Sequence, residues 1–189
     1  IGMASDLAAA LKQLHDAEVK AVDAGRAGGR LFLHGVSFGI QPRVVHIRER
    51  LGCRSRLTKM LAGLRALAAV IFNPQSLRLF LEVDGREMEI RTPALVVSNN
   101  AYENSMMLKQ ARLDEGVLGL YALSPMSLPA YLRLTFDLLR GRWRDNMNVK
   151  EMRPRRMGIL RRRLYGRNRR GIKASLDGEL VLFELPLEI

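Results

Sequence analysis

Residues 172–183 read Ile-Lys-Ala-Ser-Leu-Asp-Gly-Glu-Leu-Val-Leu-Phe, and their pattern decides the fold. Ile172, Ala174 and Leu176 alternate with Lys173 and Ser175; Asp177-Gly178 follows, and a second apolar run begins past Glu179. Alternation broken by Asp-Gly predicts a hairpin with a type I′ turn, because that turn needs positive φ at both central residues and Asp and Gly tolerate it. Two carboxylates, Asp177 and Glu179, therefore stand at one tight strand end. A carboxylate held on a rigid hairpin is a candidate general base. The plainer reading is a turn followed by a solvated Glu, and the chain holds an example. Leu77, Leu79, Leu81 and Val83 alternate with Arg78, Phe80 and Glu82, and Asp84-Gly85 then turns into Met88 and Ile90 with nothing nearby to suggest chemistry.

Working outward, further strands are predicted at 19–22, 30–40, 94–98, 117–123 and 148–163, the last carrying arginines outward. Gly35 and Gly39 within 30–40 predict a strand that bends or passes close to other backbone. Leu95, Val96 and Val97 are contiguous, as in a buried strand. Residues 25–29 and 165–171 read as loops, 99–110 as polar and irregular, and 113–116 as a turn. Helical spacing appears at 4–15, where Ser5 or Asp6 could cap a stripe of Leu7, Leu11 and Leu14. It is clearest at 55–72, where Leu57, Met60, Leu61, Leu64, Leu67, Ala68 and Ile71 recur until Asn73-Pro74. Ser127-Leu-Pro129 opens another helix, with Leu128, Leu132, Phe136 and Leu139 on one side and Gly141 at its end. The strands cluster without regular β-α-β alternation. The fold class expected is mainly β (α+β): an antiparallel β-sandwich with two or three added helices. Residues 1–18 read as a linker helix or the remnant of a preceding domain, and 19–189 as the sandwich.

The chain has 189 residues and is 48% hydrophobic, enough for a real core. No apolar run approaches the roughly 18–20 residues of a membrane span; residues 64–72 come nearest, and Arg65 interrupts them. The single cysteine, Cys53, excludes an internal disulfide and points to a reducing cytoplasm. Three histidines and one cysteine, widely spaced, give no zinc pattern. Net charge is +12, from 31 Lys+Arg against 19 Asp+Glu, which favours polyanions: nucleic acid or an anionic membrane. The excess falls in residues 140–173, and such a run is often only a solvated face. Aromatics are 6% of the chain and only Tyr165 and Trp143 lie near the arginines, so a base-stacking platform is missing. No zinc-finger or RNA-recognition signature accompanies them. An anionic membrane surface is the expected partner, and nucleic acid is not.

Four stretches in order carry a resemblance. They are Gly2-Met-Ala-Ser-Asp-Leu-Ala8; Phe32-Leu-His-Gly-Val-Ser-Phe-Gly-Ile40; Ser98-Asn-Asn-Ala-Tyr102 with Leu113-Asp-Glu-Gly-Val-Leu118; and Leu176-Asp-Gly-Glu179. Together they resemble the C-terminal half of the diacylglycerol kinase-like lipid kinases, a family that includes sphingosine kinases and bacterial relatives. The resemblance implies a lipid kinase that phosphorylates a lipid hydroxyl with ATP. Glu179 would be the proton acceptor, and Asp177 would hold the turn and shape the charge around it. It also implies a structural Mg²⁺, with Glu115 as side-chain ligand and the backbone carbonyls of Arg112 and Val117. ATP would bind through an N-terminal nucleotide-binding domain whose Gly-Gly-Asp-Gly-Thr loop these residues lack. Met3 and Ser5 stand where the family has Thr and Asn, and the glycine-rich stretch after Tyr102 is altered to Glu103-Asn104-Ser105. A lipid substrate and a cytoplasmic location, peripheral at the membrane, are the matching expectations. The competing readings are a non-catalytic lipid-binding module and, on charge alone, a nucleic-acid-binding protein.

Overall fold

In a computed structural model, residues 6–15, 17–50, 76–103, 105, 110, 112–164 and 167–189 are described. In chain order, α1 (Leu7–His15) precedes β1 (Gly25–Ala27), β2 (Arg30–Phe32), β3 (Gly35–Gly39) and α2 (Ile40–Arg50). The first long hairpin is β4 (Leu77–Val83) with β5 (Arg86–Thr92), and β6 (Ala94–Asn99) and β7 (Leu118–Leu123) follow. Then come α3 (Leu128–Leu139), a 3₁₀ turn (Trp143–Asp145), β8 (Val149–Met152), β9 (Met157–Leu164) and β10 (Arg167–Arg169). The chain closes with β11 (Gly171–Leu176), β12 (Glu179–Glu184) and β13 (Leu187–Glu188).

Two antiparallel sheets form the sandwich. The larger has the order β12-β11-β3-β6-β7-β8; the smaller runs β10-β9-β4-β5, with β13 also paired to β9. A two-stranded ribbon of β1 and β2 adjoins them. Period-2 alternation sends one side of each sheet inward. Phe38, Leu95, Leu120, Ile172 and Ala174 of the larger sheet meet Leu79, Leu81, Ile159 and Leu187 of the smaller one, with Phe32 closing an edge. Each such large side chain removed from water contributes about 1.5–3 kcal/mol.

Both Asp-Gly pairs make the expected turn: φ is 47° and 80° at Asp84 and Gly85, and 46° and 95° at Asp177 and Gly178. β3 passes as close to other backbone as its glycines suggested. A Cβ on Gly35 would stand 2.6 Å from the Val97 carbonyl oxygen, and one on Gly39 would overlap that of Pro93. α3 ends at Gly141, whose φ is 69°.

Several expectations change. Residues 19–22 form no strand; Val19 and Val22 are exposed, and Asp23 bonds backbone to backbone with Leu113. Residues 25–29, expected as a loop, instead hold β1 and a tight turn, because Gly28 and Gly29 both take positive φ and turn β1 onto β2. The expected strand 30–40 is two strands with a break at Leu33-His34, and Ile40 begins α2. Residues 167–169 belong to β10, held against β9, rather than to a loop. The helix expected at 55–72 lies outside the described residues. The Leu128, Leu132, Phe136 and Leu139 stripe of α3 turns to solvent, with Leu132 64% and Phe136 51% exposed, while Tyr131 on an adjoining side is buried. Among the described residues three α-helices occur, and no helix is long and apolar enough to cross a membrane.

Candidate functional site

Asp177 anchors the end of the sandwich where β11 turns into β12. Its Oδ2 accepts the Leu33 backbone N–H at 2.7 Å, and its Oδ1 accepts those of His34 at 2.9 Å and Gly35 at 2.8 Å. Its own backbone N–H donates to the Gly35 carbonyl at 2.9 Å. The break between β2 and β3 is therefore shaped by one carboxylate from a hairpin more than 140 residues downstream. Burial pushes the Asp177 carboxyl up, but the N–H groups of Leu33, Gly35 and His34, with the His34 side chain, outweigh it and hold the group below its usual range. Glu179 is the first residue of β12, pairs with Leu176 and is exposed at the sheet end.

A cavity of about 250 Å³ lies against this turn, lined by Asp177, His34, Ser37, Gln41, Tyr102 and Ser175 among others. Ser37 and Ser175 are opposite one another across β3 and β11. Strand alternation puts them on the outer side of the larger sheet, since Val36, Phe38, Ala174 and Leu176 point to the core. Tyr102 brings an aromatic cluster to the same side: its ring stacks on Tyr121 at 5.4 Å between centroids, and Trp143 meets both edge-on. The Tyr102 backbone N–H donates to the Tyr121 phenol oxygen at 2.8 Å. Burial pushes the Tyr102 phenol up; a hydrogen bond with Ser98 partly offsets this, and the Asp177 charge adds to it. A second cavity, about 580 Å³, borders α2 and the far part of the same hairpin, with Leu180, Leu182, Arg43 and Lys173 in its wall.

The turn expected to hold a cation is built around Asn100, which is fully buried with φ at 68°. The Asn100 backbone N–H donates to the Val117 carbonyl at 3.1 Å, and its Oδ1 accepts the Glu115 N–H at 3.3 Å. Asp23 reaches in from outside and accepts the Gly116 N–H at 2.7 Å. Glu115 Oε2 is buried with no hydrogen-bond partner. A buried carboxylate oxygen without a hydrogen-bond partner suits a hard cation, so Glu115 fits Mg²⁺. The Arg112 side chain pairs with Asp114 at 3.1 Å, which raises the guanidinium's pKa and lowers the carboxyl's. Among the described residues no group of three or more His, Cys, Asp or Glu is gathered for a metal.

Asp177 and Glu179 thus share the hairpin end, while Arg112, Glu115 and Val117 share the separate turn around Asn100. The alternation pattern did not disclose Ser175, Gln41 or Asp23 as parts of these sites, because their neighbours come from distant strands. Only the register of β3 against β11 reveals that Ser37 faces Ser175.

A two-sheet antiparallel sandwich with an acidic hairpin at one end and a carboxylate-bearing turn near it defines a recognisable class of domain. The description "YegS C-terminal NAD kinase beta sandwich-like domain" matches residues 34–189, and the chain belongs to that family. The same fold occurs in solved structures from Bacillus anthracis str. Sterne. One, provisionally assigned as a diacylglycerol kinase, is 17% identical with a TM-score of 0.68; the match covers 99% of this chain and 58% of that one. Another, described as a diacylglycerol kinase, is 14% identical with a TM-score of 0.57 and matches over 99% and 56%. The chain spans less than two thirds of the length of these proteins. No curated protein matches it significantly in sequence. The family is thus that of the YegS C-terminal, NAD kinase β-sandwich-like domains, and the diacylglycerol kinase structures share its fold.

Proposed function

We propose that the chain is the substrate-side half of a lipid kinase that transfers the γ-phosphoryl group of ATP to a lipid hydroxyl. ATP binds through a nucleotide-binding domain beyond these residues. The observation that carries this reading is the Asp177 clamp: it fixes the turn against β3 and leaves the Glu179 carboxylate exposed at the sheet end. Phosphoryl transfer is mainly positioning and charge neutralisation, with a carboxylate accepting the hydroxyl proton as the new P–O bond forms. Glu179 has that role, and Asp177 positions it. Glu115, with the Arg112 and Val117 carbonyls, holds Mg²⁺, which when bound neutralises Glu115 and ties the turn to its neighbours.

The lipid's apolar part is accommodated by the larger cavity, whose leucines lie beside Arg43 and Lys173. The exposed stripe of α3 supports an anionic membrane surface as partner. Leu128, Leu132, Phe136 and Leu139 are flanked by exposed Arg133, Arg140 and Arg142, and the Arg140 guanidinium lies 3.9 Å from the Phe136 ring centre. An apolar stripe edged by arginines suits the interface of an anionic bilayer and supports a peripheral location.

The test is a lipid kinase assay on the protein together with its nucleotide-binding domain, comparing Glu179→Gln with wild type. Loss of a general base lowers kcat by roughly 100-fold or more. Undiminished turnover removes Glu179 from the mechanism. Lipid binding without any ATP-dependent phosphorylation would support the non-catalytic module instead.

A further inference from the structure

We propose that Ser37 and Ser175 form a subsite for an uncharged oxygen of the lipid acceptor, an ester carbonyl or a non-reacting hydroxyl. The inference rests on the lipid-acceptor reading above and adds to it the residues that select the acceptor's polar part. The two side chains are 3% and 2% exposed, stand directly opposite one another, and neither hydroxyl has a hydrogen-bond partner. Buried hydroxyls are almost always satisfied, so two unsatisfied ones facing one cavity are a feature to be explained. The cavity, about 250 Å³, is large enough for a small polar group.

The wall decides the chemistry of the occupant. Ser37, Ser175, Gln41 and Tyr102 can each donate a hydrogen bond, and the hydroxyls and the amide can also accept one. Among the described residues no Lys or Arg lines this cavity, and the Asp177 carboxylate at its edge stays ionised because three N–H groups hold it. A phosphate or carboxylate group would meet that charge with only the His34 imidazole beside it to offset it. An uncharged carbonyl or hydroxyl would satisfy both serines without such a penalty. Leu180 is directly paired with Ser175, and it also lines the larger, more apolar cavity. The polar subsite thus adjoins a wall suited to an acyl chain. Ser37 and Ser175 are positioning residues for the acceptor, and the proton acceptor stays at the hairpin end.

The test measures binding without ATP, on the 189-residue chain, by thermal shift and by the fluorescence of Trp143. Trp143 is the chain's single tryptophan, and its ring lies 6.4 Å from that of Tyr102, which lines the cavity. The probes are dioctanoylglycerol, its dioctyl ether analogue, and dioctanoyl phosphatidic acid. Dioctanoylglycerol is expected to raise Tm and change the fluorescence, and to bind at least tenfold more tightly than the phosphatidic acid. The Ser37→Ala/Ser175→Ala variant is expected to keep or raise the unliganded Tm, because it removes two unsatisfied hydroxyls, and to bind dioctanoylglycerol at least tenfold more weakly. The two single variants serve if the double variant does not fold. The ether analogue has no carbonyl and its one hydroxyl is the reacting one. Loss of serine-dependent binding with it therefore identifies an ester carbonyl as the recognised group, whereas undiminished serine-dependent binding overturns the proposal, because the serines then hold an ether oxygen or the reacting hydroxyl. Equal binding by wild type and variant, no binding by wild type, or a preference for the phosphatidic acid overturns the proposal, and the cavity then holds water alone. Failure of the Glu179→Gln kinase test would leave this binding result unaffected, so the two ideas fail separately.

Discussion

Asp84 and Asp177 sit at the same place in two Asp-Gly hairpins, and both carboxylates do the same physical work. Asp84 Oδ1 accepts the Arg155 and Arg156 backbone N–H groups at 3.0 and 3.1 Å, as Asp177 accepts those of residues 33–35. Each clamps a connection between strands, β8 to β9 in one and β2 to β3 in the other, and each borders a cavity. Charge-assisted hydrogen bonds contribute about 1.5–3 kcal/mol, and the Asp177 carboxylate is partly solvated, so Asp177→Ala should destabilise the chain by roughly 1–3 kcal/mol. Its folded pKa lies below its unfolded value. That stabilisation is complete above the ordinary Asp range and is lost as pH falls through the folded pKa. In urea titrations the gap between wild type and Asp177→Asn should be widest near neutral pH and close in acid. A gap that persists well below the Asp range would show that charge is not what holds the clamp.

At the scale of elements, α3 inverts the usual arrangement of a surface helix. Its apolar stripe was legible in the spacing of Leu128, Leu132, Phe136 and Leu139, but its direction was not. Tyr131 and the 3₁₀ turn carrying Trp143 fix the orientation by packing, and these contacts are tertiary. Burying a large apolar side chain contributes about 1.5–3 kcal/mol, or roughly ten- to hundredfold in affinity. Phe136→Asp should therefore weaken co-sedimentation with phosphatidylglycerol-containing vesicles at least tenfold and leave Tm nearly unchanged, because the ring is half exposed. Equal sedimentation by the variant would remove α3 as the docking face.

At the scale of the whole molecule, a net charge of +12 makes attraction to an anionic surface dependent on ionic strength. The screening length falls from about 30 Å at 0.01 M salt to about 8 Å at 0.15 M. Retention on anionic vesicles should drop several-fold across that range, whereas binding to neutral vesicles should change little. A salt-independent interaction would mean that the apolar stripe acts without the arginines.

Local pattern alone determined the antiparallel sandwich, the two hairpins and their turn type, and the boundaries of β6, β7 and α3, because a period of two or 3.6 and the φ tolerance of Asp-Gly are properties of neighbouring residues. The same pattern divided residues 25–40 wrongly, because their break is made by Asp177, which bonds to Leu33, His34 and Gly35 from the other end of the chain. Strand pairing decided that Ser37 faces Ser175 and that Glu115 meets Asn100. Such pairs are joined only when distant strands take one register, and register follows from which faces the whole sandwich buries.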